Sequence, residues 1–188
     1  MKELKPAILL FFLFTLICGG IYPAIVTGVA SLLFPGQAGG SLITGPAGTV
    51  EGSRLIGQPF SDEKYFWPRP STATDFSYNP MGSGGSNSGP TNPDFIKTVD
   101  DRLQALRDTG ITARIPVDLV EASASGLDPH ISPAAAEVQI ARIAKARGLD
   151  EKAVTELVSS HVEARQLGVL GHPRVNVLLL NLALDGMP

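Results

Sequence analysis

Asp128 and His130 stand two residues apart in Ser125-Gly126-Leu127-Asp128-Pro129-His130-Ile131-Ser132-Pro133. A carboxylate beside an imidazole is the pairing that general acid–base catalysis uses. The flanking prolines give the same residues two other readings, a rigid turn feeding a helix N-terminus at Ser132 and a partner contact. His161 and His172 are isolated, none of the short His/Cys spacings of a zinc site occurs, and no metal ligand set is expected. His161 falls on the apolar face of a helix, where a histidine usually serves as a hydrogen-bonded core residue. Asp108-Thr109-Gly110 spells the aspartic-protease triplet, but it closes an amphipathic helix after Leu106-Arg107 and reads as a cap. It also lacks the lysine of an Asp-Lys-Thr-Gly phosphorylation motif. Gly82-Ser83-Gly84-Gly85-Ser86-Asn87-Ser88-Gly89 has the glycines of a phosphate cradle but no lysine, and Pro90 bars an immediate helix. That stretch reads as a solvated or partner-contacting loop. No Gly-x-Ser-x-Gly nucleophile elbow is present. The expectation is a chain with no catalytic residue and no firmly bound cofactor.

Composition narrows the class further. The 188 residues carry a formal charge of -3 and 44% hydrophobic residues. Lys2, Glu3 and Lys5 sum to +1, which leaves -4 on the remainder, so there is no footprint for nucleic acid or anionic lipid. Cys18 is the single cysteine, which excludes an intrachain disulfide and leaves a domain held by its core alone.

The elements that position these residues begin with a span free of Asp, Glu, Lys, Arg and His from Pro6 to Val50. Within it, residues 7–33 read as a transmembrane anchor helix, long enough for a hydrocarbon core of ~30 Å. Pro23 is expected to kink its outer end, with Tyr22 at headgroup depth. A cleaved signal peptide would need a shorter apolar core before Gly28-Val29-Ala30. A lipoprotein would need a small residue just before Cys18, where Thr15-Leu16-Ile17 stands. Lys2 and Lys5 precede the helix and no Lys or Arg follows until Arg54. That bias places residues 1–6 in the cytoplasm and the rest outside. Residues 34–50 read as a Gly-rich linker, and residues 51–188 as an extracytoplasmic domain.

In that domain Ser53 to Gln58 and Ile115 to Ala122 read as strands. Lys64 to Ser71, with Tyr65, Phe66 and Trp67, reads as an edge strand or extended loop because of Pro68 and Pro70. One helix is expected from Pro93 to Arg107, capped by Asn92 and closed at Gly110, with Phe95, Ile96, Val99, Leu103 and Leu106 as its apolar stripe. A second opens at Ser132-Pro133 and ends before Gly148, with Val138, Ala141, Ile143 and Ala144 inward. A third follows the N-cap Asp150, with Leu149 and Val154 as a hydrophobic staple. Val175 to Leu184 fits a buried strand or a short buried helix, and the β-branched Val175 and Val177 favour the strand. The fold class is therefore α+β, with one anchor helix and a small domain of about three helices and three or four strands.

Five blocks in order carry a resemblance over nearly the whole chain. They are Gly52-Ser53-Arg54-Leu55-Ile56-Gly57-Gln58-Pro59-Phe60, Tyr65-Phe66-Trp67-Pro68-Arg69-Pro70-Ser71, Gly85-Ser86-Asn87-Ser88-Gly89-Pro90-Thr91-Asn92-Pro93, Ser123 through Pro133, and Val175-Asn176-Val177-Leu178. Together they closely resemble the C subunit of the Kdp potassium-transporting ATPase. The resemblance implies a non-catalytic accessory subunit of an ATP-driven potassium pump, set in the cell inner membrane with a channel-like potassium-conducting subunit and a P-type ATPase subunit. It implies a role in assembling that complex. It also implies a catalytic-chaperone role, in which ATP joins a ternary complex with the ATPase subunit and is bound more tightly. An extracytoplasmic domain sits badly with direct contact to cytoplasmic ATP, so assembly is the favoured expectation, and an outer gate or filter over the potassium entrance is the alternative. Gly19, Gly20, Gly28, Thr15, Ala24 and Thr27 would let the anchor approach a neighbouring helix closely. Partner contacts are expected in segments 65–71, 83–93 and 125–133, at Tyr65, Phe66, Trp67, Arg69, Ser86, Asn87, Asn92, Asp128 and His130.

Overall fold

The computed structural model describes residues 3–45 and 48–187. Lys2, one of the two lysines of the charge bias, and residues 46–47 of the expected linker lie outside the described residues. The chain divides into two compact units, Met1–Glu51 and Gly52–Pro188.

The first unit is dominated by one apolar helix over Leu4–Leu33, with a mean hydropathy of 2.3 and none of its most apolar window buried. At 1.5 Å per residue it is roughly 45 Å long, enough to cross a membrane. It consists of α1 (Leu4–Leu16), a π-turn (Ile17–Ile21) and α2 (Tyr22–Leu33). Where a kink was expected at Pro23, the structure has a π-turn one turn earlier. A proline crowds the carbonyl four residues back, here that of Gly19. The widened turn absorbs this, and the Tyr22 N–H donates to the Ile17 carbonyl. The expected loose linker contains structure instead: a short helix α3 (Pro35–Ala38) and strand β1 (Leu42–Thr44), which pairs with β2 (Val50–Ser53).

In the second unit the first helix, α4 (Pro93–Asp108), starts where expected, because the Asn92 side chain accepts from the N–H groups of Asp94 and Phe95. Ile96, assigned to its apolar stripe, is 46% exposed, and Leu106 is the buried residue. The second expected helix is two: α5 (Pro133–Glu137) and α6 (Ile140–Arg147), broken at Val138 and Gln139. Gly148 ends α6 in the left-handed region at φ 68. Ala141 faces solvent, and the inward positions belong to Arg142, Ile143 and Ala144. The third expected helix is α7 (Glu151–Ser160), capped by Asp150 onto the Lys152 N–H.

Three strand expectations are corrected. Residues 54–56 form a turn after β2, and Val117–Leu119 is a 3-10 turn. The 175–184 run is mostly helix: strand β5 (Arg174–Asn176) hands over to α8 (Val177–Asp185). Asn176 accepts from the Leu179 N–H and is the cap that starts α8. β5 is the middle strand of a three-stranded antiparallel sheet with β3 (His130–Ile131) and β4 (Val162–Glu163), in register His130↔Asn176 and Val162↔Val175. The helices bury Ile143, Val154, Leu180 and Leu184 with Phe66, Ile131 and Val175 in one core. The result is an α+β domain.

Candidate functional site

The aromatic segment is an extended chain held by side-chain amides in place of a neighbouring strand. Asn181, on α8, accepts from the Phe66 N–H at 2.9 Å and donates to the Phe66 carbonyl at 3.0 Å. Gln139 does the same for Trp67, accepting at 2.8 Å and donating at 3.2 Å. Each amide presents one donor and one acceptor in the spacing that a backbone peptide would offer, so two buried residues complete the hydrogen bonding of a strand that Pro68 and Pro70 bar from a sheet. Arg142 adds a third clamp. Its guanidinium donates to the Glu63 carbonyl, to the Tyr65 carbonyl at 3.0 Å and to Gln139 Oε1 at 2.7 Å, and it stacks 4.3 Å from the Trp67 ring. Burial pushes the Arg142 pKa down to about 10, with the nearby Glu63 and Asp62 charges opposing the fall.

This clamp decides what the aromatic candidates can do. Phe66 has no exposed surface to offer a partner. Tyr65 is half-buried between Phe60 and the Arg147 guanidinium and donates to Asp185 at 3.0 Å. Trp67 donates from Nε1 to the Asp62 carbonyl at 2.9 Å. Nothing in the sequence pairs Gln139, Arg142 and Asn181 with residues 63–67. A single asparagine inside the apolar eight-residue run 177–184 is the signal that could have drawn attention to Asn181.

Arg69, Asp128 and His130 are brought together. Asp128 accepts from the His130 backbone N–H at 3.0 Å, faces His130 Nδ1 at 3.2 Å and pairs with Arg69 at 3.3 Å. Arg69 also donates to the Glu121 and Ala122 carbonyls. Burial pushes the Asp128 carboxyl up, but the His130 hydrogen bonds and the charges of His130 and Arg69 outweigh it and hold it below the ordinary carboxylate range. The pair braces a layer of interwoven loops. The Gly57 N–H donates to the Leu127 carbonyl, the Gly84 N–H to the Ser125 carbonyl, and Ser71 Oγ to the Gly126 carbonyl at 2.7 Å. Two glycines make that closeness possible. A Cβ on Gly57 would lie 2.2 Å from the Tyr78 ring, and Gly126, at φ 67, packs against the backbone of Ala73 and Gly84. Tyr78 in turn donates to the Arg69 carbonyl, and burial raises the pKa of its hydroxyl.

Beside this brace lies a cleft of about 700 Å³ lined by Arg69, Asp128 and His130 together with Asp118, Glu163 and Arg174. Its carboxylates are engaged by the chain itself: Asp118 by the Ser132 N–H at 2.6 Å, and Glu163 by Arg54 at 2.9 Å and Arg174 at 3.0 Å. A smaller cleft of about 440 Å³ takes in Ser86, Asn92, Thr98, Arg102 and Glu121. Asn87 is exposed at the loop between them in sequence, with φ 51. The nine candidates thus fall into three places: the amide clamp, the ion-paired brace with its cleft, and the turn before α4. Among the described residues no group of three or more His, Cys, Asp and Glu is placed to hold a metal ion.

Among the described residues, one helix long and apolar enough to cross a membrane precedes an α+β domain tied by internal clamps, the architecture of a membrane-associated protein. The chain matches the family model of the K+-transporting ATPase c chain, KdpC, over residues 4–186, and it belongs to that family. It is 66% identical over 185 residues to the potassium-transporting ATPase KdpC subunit of Geobacter metallireducens, covering 98% of each chain. Similarity to the KdpC subunit of Geobacter sulfurreducens is 65% identity with the same coverage. The KdpC subunit of Methylococcus capsulatus is 56% identical over 188 residues, 99% of this chain and 98% of the relative. The chain is a subunit of a potassium-transporting ATPase complex.

Proposed function

We propose that this subunit assembles and holds together the potassium-conducting and ATP-hydrolysing subunits of the pump and performs no chemistry of its own. The observation that carries this reading is the match to the c chain across 4–186, anchor helix included. The use made of the domain's polar groups supports it. Asp128 and His130, the pair with the residue types for proton transfer, spend their bonds on each other, on Arg69 and on the local backbone. A constellation that braces loops presents shaped surface, which is what an assembly subunit requires.

In this reading the N-terminus lies in the cytoplasm and the domain faces outward in the inner membrane, on the strength of Lys2 and Lys5 at the cytoplasmic start of the helix and the uncharged stretch from Pro6 to Val50 after them. ATP then lies across the membrane from the domain. Any rise in the ATPase subunit's affinity for ATP is a coupling free energy carried by subunit contacts, with no nucleotide held by this chain.

The test is an affinity tag on the C-terminus of the full chain, expressed with the other subunits. A potassium-stimulated ATPase should co-purify with it from detergent-solubilised membranes, and protease added outside intact spheroplasts should remove the tag. A tag protected from external protease would overturn the outward orientation. Absence of the ATPase from the purified material would overturn the assembly role.

A further inference from the structure

The segment that follows the membrane-length helix folds so as to stay at its end. After Phe34 the chain turns back on itself: the Ala38 N–H donates to the Phe34 carbonyl at 2.9 Å, Gly39 to Pro35 at 2.9 Å and Ser41 to Gly36 at 2.8 Å. Gly40 and Ser41 lie in the left-handed region, at φ 90 and 51, and turn the chain into β1. Eight extended residues would reach roughly 28 Å, whereas α3 rises only about 6 Å over its four. The hairpin of β1 and β2 is therefore held close to the end of the helix.

The two faces of that hairpin differ. The Gly45 N–H donates to the Thr49 carbonyl at 2.9 Å, which sets Thr44 opposite Val50. Side chains alternate along a strand, so Leu42, Thr44 and Val50 share one face. Leu42 is 57% exposed and Val50 60%. The other face carries Ile43, Gly45, Thr49 and Glu51; there Thr49 Oγ1 donates to Glu51 Oε1 at 3.2 Å and the carboxylate lies over Gly45. Glu51 is the first charged side chain after Lys5. One face of the hairpin is thus headed by a carboxylate. The other is uncharged, and it follows directly on the exposed Leu32, Leu33 and Phe34 at the end of the helix.

Length decides what covers the uncharged face. The Leu4–Leu33 helix is roughly 45 Å long, while a bilayer measures about 30 Å across its hydrocarbon and ~40–45 Å with its headgroups. With Lys5 in one headgroup layer, Leu33 and Phe34 reach the other, whether the helix stands upright or tilts by up to ~40°. A face that starts at that depth with exposed phenylalanine, leucine and valine and no charge is matched to the boundary between headgroups and acyl chains. A strand pair is tolerated there because only the hydrocarbon core deprives open backbone groups of water.

We infer that Phe34 and the Leu42–Thr44–Val50 face of the hairpin lie in the headgroup–acyl boundary of the bilayer, with Glu51 turned to water. The chain then leaves the membrane surface at Glu51 and not at Leu33. The inference rests on the helix spanning a membrane and goes beyond the assembly reading, which it neither needs nor tests.

The test uses the full chain carrying Cys18→Ala, with Leu42→Cys, Val50→Cys, Thr49→Cys or Glu51→Cys added singly. Each is labelled with a nitrobenzoxadiazole dye and reconstituted in phosphatidylcholine–phosphatidylglycerol vesicles with iodide on both sides. Dyes at 42 and 50 should be quenched by lipid spin-labelled near its headgroup, and several-fold less by iodide than dyes at 49 and 51. Equal iodide quenching at all four positions would overturn the interfacial hairpin. Shielding from iodide without quenching by lipid would overturn it as well and put protein over the face. A dye on the native Cys18, at the middle of the helix, should be quenched most by lipid spin-labelled at its chain end. Failure there would overturn the spanning helix itself, whereas failure at 42 and 50 alone would sink only the hairpin. In membranes that hold the whole complex, p-benzoylphenylalanine in place of Leu42 should crosslink to lipid, and a crosslink to another pump subunit would overturn lipid as the occupant.

Discussion

Asn181 is the residue on which the domain's least regular segment depends. Its amide meets both backbone polar groups of Phe66, whose side chain is fully buried. Asn181→Leu keeps the volume and removes both partners, leaving an N–H and a C=O without hydrogen bonds in the interior. Each such group costs about 1–3 kcal/mol, so the expected loss for the two is about 2–6 kcal/mol in urea unfolding of the detergent-solubilised chain. A loss below about 1 kcal/mol would mean that the 65–67 segment is held by packing alone. Asp128 makes a prediction of opposite character, about pH. Its folded pKa is depressed, so its contribution to stability is present above the unfolded value of about 3.9 and is lost as pH falls through the folded value. The melting temperature of the parent should therefore drop on acidification below about pH 4, and that of Asp128→Asn, already lower at neutral pH, should drop less over the same range. Parallel curves for the two proteins would remove Asp128 from the brace.

At the scale of elements, the handover from β5 to α8 is the informative case. Val175 and Val177 are both β-formers, yet only Arg174–Asn176 is strand. β3 and β4 offer two-residue partners on either side, so the sheet can satisfy no more of the run. The backbone beyond it must bond to itself, and Asn176 starts the helix by capping the Leu179 N–H while donating to the Arg54 carbonyl at 2.9 Å. Asn176→Ala loses both. The expected cost is about 2–3 kcal/mol, with hydrogen exchange at the Leu179 amide accelerated more than at the amides of α7. Uniform acceleration across both helices would indicate global destabilisation and no local capping role. The other helix starts were legible because their caps stand directly ahead of periodic apolar residues, as Asn92, Ser132 and Asp150 do. The break in α5–α6 was not legible. The chain tightens at Gln139, whose N–H bonds to the Ala136 carbonyl and whose side chain meets Trp67, and no feature of the sequence near 139 refers to residue 67.

At the scale of the whole molecule, the division at Glu51 predicts that the two units separate without loss of fold. A protease site introduced between Thr44 and Val50 should release the 52–188 unit from membranes as a soluble protein. That product should unfold cooperatively within about 5 °C of the intact chain, since a domain with its own core needs no tether to fold. Aggregation of the product on release would show that the anchor unit covers part of its surface.

The sequence by itself determined the apolar helix, the positions of the capped helices, the α+β class and, through five ordered blocks, the family. Each is written in contiguous residues, where periodicity, caps and charge gaps act over a few positions. Only the tertiary structure decided that the aromatic cluster is clamped inward, that Asp128 and His130 brace loops together with Arg69, and that Val177–Asp185 is helix. Those outcomes depend on buried polar groups finding partners across separations such as the 115 residues between Phe66 and Asn181. An unpaired amide in the interior is costly enough to override local propensity, and no local pattern records which distant residue will satisfy it.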